Sequence, residues 1–225
     1  MNAWTKLSVA AMTAVALIGF SAAPAAARGE RDTLNNAEKT IRALERDDVF
    51  HDARKAVHRA RAVLIVPKLV KGGFIFGAEG GDGVLMARTG RTWSAPAFYT
   101  LGSASFGFQA GLEQAQVVMI IMTDRALRAI KRSKFKFGAN AGLTVVTLGA
   151  GAEGATSGNF SGDIIVWSKA KGLYGGVSLN GSVIDPDDKA NEKYYGRRAD
   201  VDDILAGRVK DRDTESLRRA MDRTF

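Results

Sequence analysis

No cysteine occurs anywhere in the 225-residue chain, which excludes disulfides, thiolate nucleophiles, thiolate metal ligands and a lipid-modified N-terminal cysteine. Any membrane contact must therefore be non-covalent. Histidine is nearly as scarce, with only His51 and His58, two turns apart on one side of a helix. With no cysteine and no nearby glutamate at ligand spacing, no zinc site is expected. Neither histidine lies outside the leading helices to serve a serine or threonine nucleophile, and no Gly-x-Ser-x-Gly elbow occurs. A binding protein without a cofactor is expected rather than an enzyme. Proline is limited to four residues, whereas glycine reaches 25 and sits between apolar, β-prone residues, a composition of curved or closely packed strands rather than of disordered linker.

The chain is 46% hydrophobic and 25% charged, enough to bury one sizeable core, and its formal net charge is +8. Positive charge invites a nucleic-acid reading, but no helix-turn-helix, finger or aromatic RNA-binding signature accompanies it, so no nucleic-acid partner is expected. Residues 1–27 combine Lys6, an apolar stretch from Leu7 to Phe20 and the small-residue run Ala25-Ala26-Ala27. That is the pattern of a cleavable secretory signal, with an N-terminal anchor as the alternative. An exported protein, periplasmic or secreted and peripheral to a membrane, is the expectation. The remainder divides into a helical lead (28–46), a main domain (47–196) and a charged helical tail (197–225).

Leu34, Ala37, Ile41 and Leu44 recur at helical spacing, and Phe50, Ala53, Val57, Ala60 and Leu64 repeat it after the cap candidates Asp47 and Asp48. Two amphipathic helices are predicted, the second over 48–64. Beyond Pro67 come β-prone runs: Phe74 to Phe76, Val84 to Met86, Phe98 to Phe108, and Val117 to Met122, the last apolar throughout and expected to be buried on both faces. Thr123 should cap a short helix from Asp124 to about Arg132. Further strands are predicted over 135–149, 151–156, 164–169 and 172–184, followed by a mixed-charge, solvated tail that turns helical from Val201. Gly77, Gly80, Gly81 and Gly83 resemble a nucleotide-binding loop only superficially, because Val84 to Met86 continue as strand where a helix would be required; a hairpin turn is expected there. Glu79 and Asp82 would lie in that turn. Asp185, Asp187 and Asp188 lack the glycine and distal glutamate of a calcium loop and read as an acidic turn. The fold class is α+β: a strongly bent antiparallel sheet, open or in part closed. Its helices, at the N-terminus, after Thr123 and at the C-terminus, should cover one face or the open ends.

Pro67-Lys68, Trp93-Ser94-Ala95-Pro96-Ala97, Gly107-Phe108-Gln109 and Lys171-Gly172-Leu173 occur in that order, and with them the chain from about Asp47 to Gly196 resembles the SYLF domain. The resemblance implies a phospholipid-binding module, phosphoinositide-selective in eukaryotic relatives and associated with actin in some. It also implies that the leading amphipathic helix is the membrane element. For an exported protein, actin is an unlikely partner, and generic anionic phospholipid remains.

Two basic groups could meet phosphate. The first opposes Arg54, Lys55, His58, Arg59 and Arg61 to the apolar stripe of the second helix, with Lys68 and Lys71 following. A cationic face beside an apolar stripe suits a helix lying in the headgroup layer, and equally a domain helix packed on a sheet. The second group is Arg125, Arg128, Lys131 and Arg132, with Lys134 and Lys136 close by; Arg125, Arg128 and Arg132 share a helical face. Two other readings stand beside lipid binding. One is a structural or partner-binding envelope protein that offers a sheet edge, and the other is a carrier whose curved sheet encloses an acyl chain.

Overall fold

Leu34, Ala37, Ile41 and Leu44 all lie on the buried side of the first helix, α1 (Glu30–Glu45), as their spacing requires. Asp47 caps α2 (Asp48–Val57), its carboxylate accepting the Val49 N–H at 3.2 Å. In this computed structural model the described residues are 29–73, 76–106, 111–132, 134–138, 142–148, 161–171, 179, 181–211 and 213–225. The expected signal, the Gly107-Phe108-Gln109 element, the strand over 151–156 and most of that over 172–184 lie outside them.

The second helix is shorter than its periodicity suggested. It ends at Val57, and the chain turns through His58 to Arg61 into β1 (Ala62–Gly73). Ala62 to Val66 are all buried, and β1 is paired on both sides, with β2 (Phe76–Thr89) and β5 (Gly111–Ile121). Five consecutive apolar residues, three of them β-branched, are satisfied by a strand buried on both faces and not by a helix with one exposed side.

Pro67 and Lys68 sit in a bulge, where the register of β1 shifts against both neighbours. This bulge explains the glycines of β2. Gly80, Gly81 and Gly83 are not a hairpin turn but the middle of a 14-residue strand. A Cβ on Gly81 would lie 2.4 Å from the Lys68 carbonyl oxygen, and one on Gly83 2.6 Å from that of Ile65. The absent side chains let the bulged backbone of β1 press against β2.

Beyond β2 come β3 (Thr92–Trp93), β4 (Ala97–Phe106) and β5, then α3 (Asp124–Lys131), capped as expected by Thr123, whose hydroxyl accepts the Ala126 N–H at 3.2 Å. The remaining strands are β6 (Phe135–Lys136), β7 (Val145–Leu148), β8 (Ile164–Lys171) and β9 (Val183–Pro186). The sheet order is β6-β9-β4-β2-β1-β5-β8-β7, with β3 beside β2. Every pair is antiparallel except β7 with β8, which run parallel. The wholly antiparallel sheet expected from sequence is thus corrected at one edge. The fifteen residues between β7 and β8 are enough for the crossover that parallel neighbours need.

The sheet is open and strongly curled. Consistent with this, α3, about 12 Å long, touches both β5 and β9, which stand four strands apart and would be roughly 19 Å apart if flat. Helices cover both faces, not one. On the outer face, α1, α2 and the last helix α6 (Glu215–Thr224) bury Leu34, Ile41, Phe50, Val57, Leu217 and Met221 against Val63, Ile65, Val118 and Ile120. Inside the curl, α3 and α5 (Val201–Leu205) bury Ile130, Ile204 and Leu205 against Leu64, Leu85, Met119 and Val166. Strand β5 is buried on both sides from Val117 to Ile121, as expected. The expectation of a solvated tail is overturned. In α4 (Asp188–Tyr195), Asn191 is buried and pairs with both backbone groups of Phe98 through its amide, and α5 and α6 supply core residues. The tail's mixed charge is the outer face of helices whose inner faces are apolar.

Candidate functional site

The apolar stripe of α2 faces inward. Phe50, Ala53, Val57 and Ala60 are at most 1% exposed, so in this conformation none of them is available to an acyl layer. The α2 basic residues divide accordingly. Arg54 donates to the Arg223 carbonyl at 2.6 Å, and His58 Nδ1 lies 2.9 Å from the Phe225 main-chain oxygen, so both tie α2 to the carbonyl end of α6. Lys55, Arg59 and Arg61 are exposed.

Arg88 was not singled out from sequence, yet it holds the same corner. It donates to the Phe225 oxygen at 3.1 Å and the Ala60 carbonyl at 3.3 Å, and its guanidinium stacks 4.4 Å from the Trp93 ring centre. The Phe225 ring sits edge-on to Phe50 and Trp93. The only hint in the sequence is a cation directly after a buried run.

The turn after α2 meets the start of α3. The Arg61 N–H donates to the Ile121 carbonyl at 2.7 Å, and the Arg61 guanidinium pairs with Asp124 at 3.4 Å. The two basic groups, about sixty residues apart in sequence, thereby join at one end of the sheet. Ala126 and Ile130 point α3 into the core, which leaves Arg125, Arg128 and Arg132 exposed on a shared side, as their spacing implied. Arg125 is anchored at its root by Asp163, 2.7 Å away.

Asp163 is a second residue that sequence reasoning passed over. It is buried and accepts from Thr123 Oγ1 at 2.7 Å, Arg125 Nη2 at 2.7 Å and the Thr144 N–H at 2.9 Å. Burial alone would raise its pKa. The hydrogen bonds from Thr144, Thr123 and Arg125, with the Arg125 charge, outweigh burial and hold the carboxyl below the usual range. Its sequence signal is slight: an acid standing just ahead of the apolar run Ile164 to Trp167.

Three predicted site residues do not join this surface. Lys68 and Lys71 lie half-buried further along β1, Lys71 on the order of 30 Å from Ala62 at strand rise. Lys71 is in register with Glu79, whose buried carboxylate accepts from Ser182 Oγ at 2.8 Å and lies in β2, not in a turn. Lys131 leaves the face of its neighbours to pair with Asp202. Among the described residues no group of histidine, cysteine and carboxylate side chains is arranged to hold a metal, and no helix is long and apolar enough to cross a membrane.

The architecture and its cationic end define a binding module, and comparison with known proteins gives its relatives. Residues 102–224 match the family described as "Ysc84: Las17-binding protein actin regulator". The chain is 32% identical over 192 residues to protein YSC84 of Saccharomyces cerevisiae, covering 81% of this chain and 41% of that protein. It is 35% identical over 156 residues to LAS seventeen-binding protein 3 of the same yeast, covering 68% of this chain and 34% of that protein. With the human SH3 domain-containing YSC84-like protein 1 it shares 34% identity over 146 residues, covering 64% of this chain and 43% of the relative. The chain belongs to the Ysc84 (SYLF) family, as the sequence motifs implied. It spans less than half the length of each of these relatives.

Two expectations are corrected by these findings. Actin was set aside as a partner on the premise of export, yet the family is described as an actin regulator and its yeast members as Las17-binding. Periplasmic or secreted localisation is withdrawn as well, because the relatives are yeast and vertebrate proteins whose names describe Las17-binding and SH3 domain-containing proteins rather than envelope proteins.

Proposed function

We propose that the chain is a non-enzymatic binding module that engages anionic phospholipid headgroups through the cationic end of its sheet. Lys55, Arg59 and Arg61 contribute from the outer-face side, and Arg125, Arg128 and Arg132 from α3. The observation that carries this reading is the meeting of the two basic groups at Arg61 and Asp124, which gathers exposed cations from both sides of the sheet onto one end. Binding is electrostatic rather than insertional, since the α2 stripe is occupied by the core. The binding unit is the whole of residues 30–225, because α1 and α6 share that core. Each cation near an anionic surface contributes roughly 1 kcal/mol, so three charge reversals should weaken binding by at least about a hundredfold.

Co-sedimentation with neutral and anionic vesicles at low and physiological salt tests this. Anionic vesicles should bind and neutral ones should not, with binding falling as salt rises. Glu at positions 55, 59 and 61, or at 128 and 132, should abolish binding, whereas Lys68→Glu with Lys71→Glu should leave it intact. Undiminished binding by the first two variants would defeat the assignment. A second reading, an actin-regulatory role, is favoured by the family match, which includes α3. Actin co-sedimentation of the same variants would show whether it uses the same cations.

A further inference from the structure

Where the C-terminal end of α3, the end of β9 and the first turns of α4 and α5 come together, they enclose a cleft of about 650 Å³. Five carboxylates line it, Asp185, Asp188, Glu192, Asp200 and Asp202, against the cations Lys131 and Arg198. This is a local surplus of negative charge in a chain whose net charge is +8. Two of the carboxylates have structural duties: Asp185 accepts the Lys134 N–H at 2.9 Å, and Asp200 caps α5 through the Asp202 N–H at 2.7 Å. Asp188 and Glu192 are exposed and project from α4.

Two further observations separate the cleft from a merely solvated acidic surface. Lys131, drawn off the basic face of α3, places a partly buried ammonium here against Asp202, so the cleft already holds the kind of group it would take. Next to it lies Tyr99 of β4, 1% exposed, whose hydroxyl has no hydrogen-bond partner. Burial, followed by the negative charges of Asp202, Asp185 and Asp188, raises the pKa of this phenol, which locates the hydroxyl beside three of the carboxylates that line the cleft. A buried hydroxyl without a partner costs about 1–3 kcal/mol and requires a reason.

We propose that this cleft is a docking site for a lysine-bearing basic peptide segment of a partner protein. A metal ion is a poor fit, because the carboxylates are spread around an open cleft and form no ligand cluster among the described residues. The volume suits several residues of extended chain. Overall charge repels a cationic peptide from this molecule, so any attraction must come from the cleft itself.

Fluorescence anisotropy on the whole chain provides the test, using a labelled heptapeptide of alternating lysine and glycine, its glutamate counterpart and spermidine as competitor. The lysine peptide should bind and the glutamate peptide should not. Asp188→Asn combined with Glu192→Gln should weaken binding at least tenfold while the protein melts as the wild type does. Lys131→Met, which frees Asp202, should tighten binding severalfold. No binding of the lysine peptide, or equal binding by the neutralised variant, would overturn the proposal. Spermidine competing as tightly as the peptide would also overturn it, in favour of a small-cation site.

Discussion

Gly81 and Gly83 show how a single missing atom shapes the sheet. A methyl group at either position would overlap the carbonyls of Lys68 or Ile65, which belong to backbone and cannot rotate away. Gly81→Ala or Gly83→Ala should therefore destabilise the protein by about 1–3 kcal/mol, the range for overpacking, read as a lowered urea midpoint at constant slope. Gly90→Ala makes a useful contrast. Nothing crowds its Cβ position, but its φ of +64° is in the left-handed region, so any loss there reflects backbone strain and should be smaller. Asp163 carries a pH signature. Its folded pKa is depressed below an ordinary value of 3.8, so its contribution to stability is present above about pH 4 and lost as pH falls through the folded value. Asp163→Asn should lower the melting temperature at pH 7 and flatten its decline between pH 5 and pH 3, as followed by circular dichroism.

At the scale of elements, α6 closes the outer face. Phe225 is 3% exposed, its ring packs against Phe50 and Trp93, and its main-chain oxygen receives His58 and Arg88. Phe225→Ala should cost about 3–5 kcal/mol by chemical denaturation. The helices were legible in the sequence to different degrees. The stripe of α1 and the cap of α3 were read correctly because they depend on neighbours a few residues away. The end of α2 was not, because Ala60 and Leu64 continue a helical spacing while the β-branched run from Val63 to Val66 asks for a strand, and pairing with β2 and β5 decides for the strand.

For the molecule as a whole, charge is sorted by tertiary structure. A chain of +8 presents a cationic end around Arg61 and α3 and, at the opposite end of that helix, an acidic cleft. Replacing Lys131 should therefore affect peptide capture and leave vesicle binding nearly unchanged, whereas replacing Arg128 and Arg132 should do the reverse. Measuring both activities on both variants separates the two surfaces, and parallel losses would show that they are one.

From sequence alone followed the exclusion of thiol chemistry, the helical stripes, the Thr123 cap, the buried β5 run, the α+β class and the family motifs. All of these rest on residue chemistry or on spacing within a few turns of chain. Which face each helix covers, why β2 is rich in glycine and which cations act together were decided by the folded structure. An apolar stripe states that a face will be covered without stating what covers it, and a glycine serves a turn and a close backbone approach equally well. The pairs Arg61 with Asp124, Arg54 with Arg223 and Lys131 with Asp202 join residues far apart in the chain, and only the curl of the sheet and the return of the C-terminal helices bring them within reach.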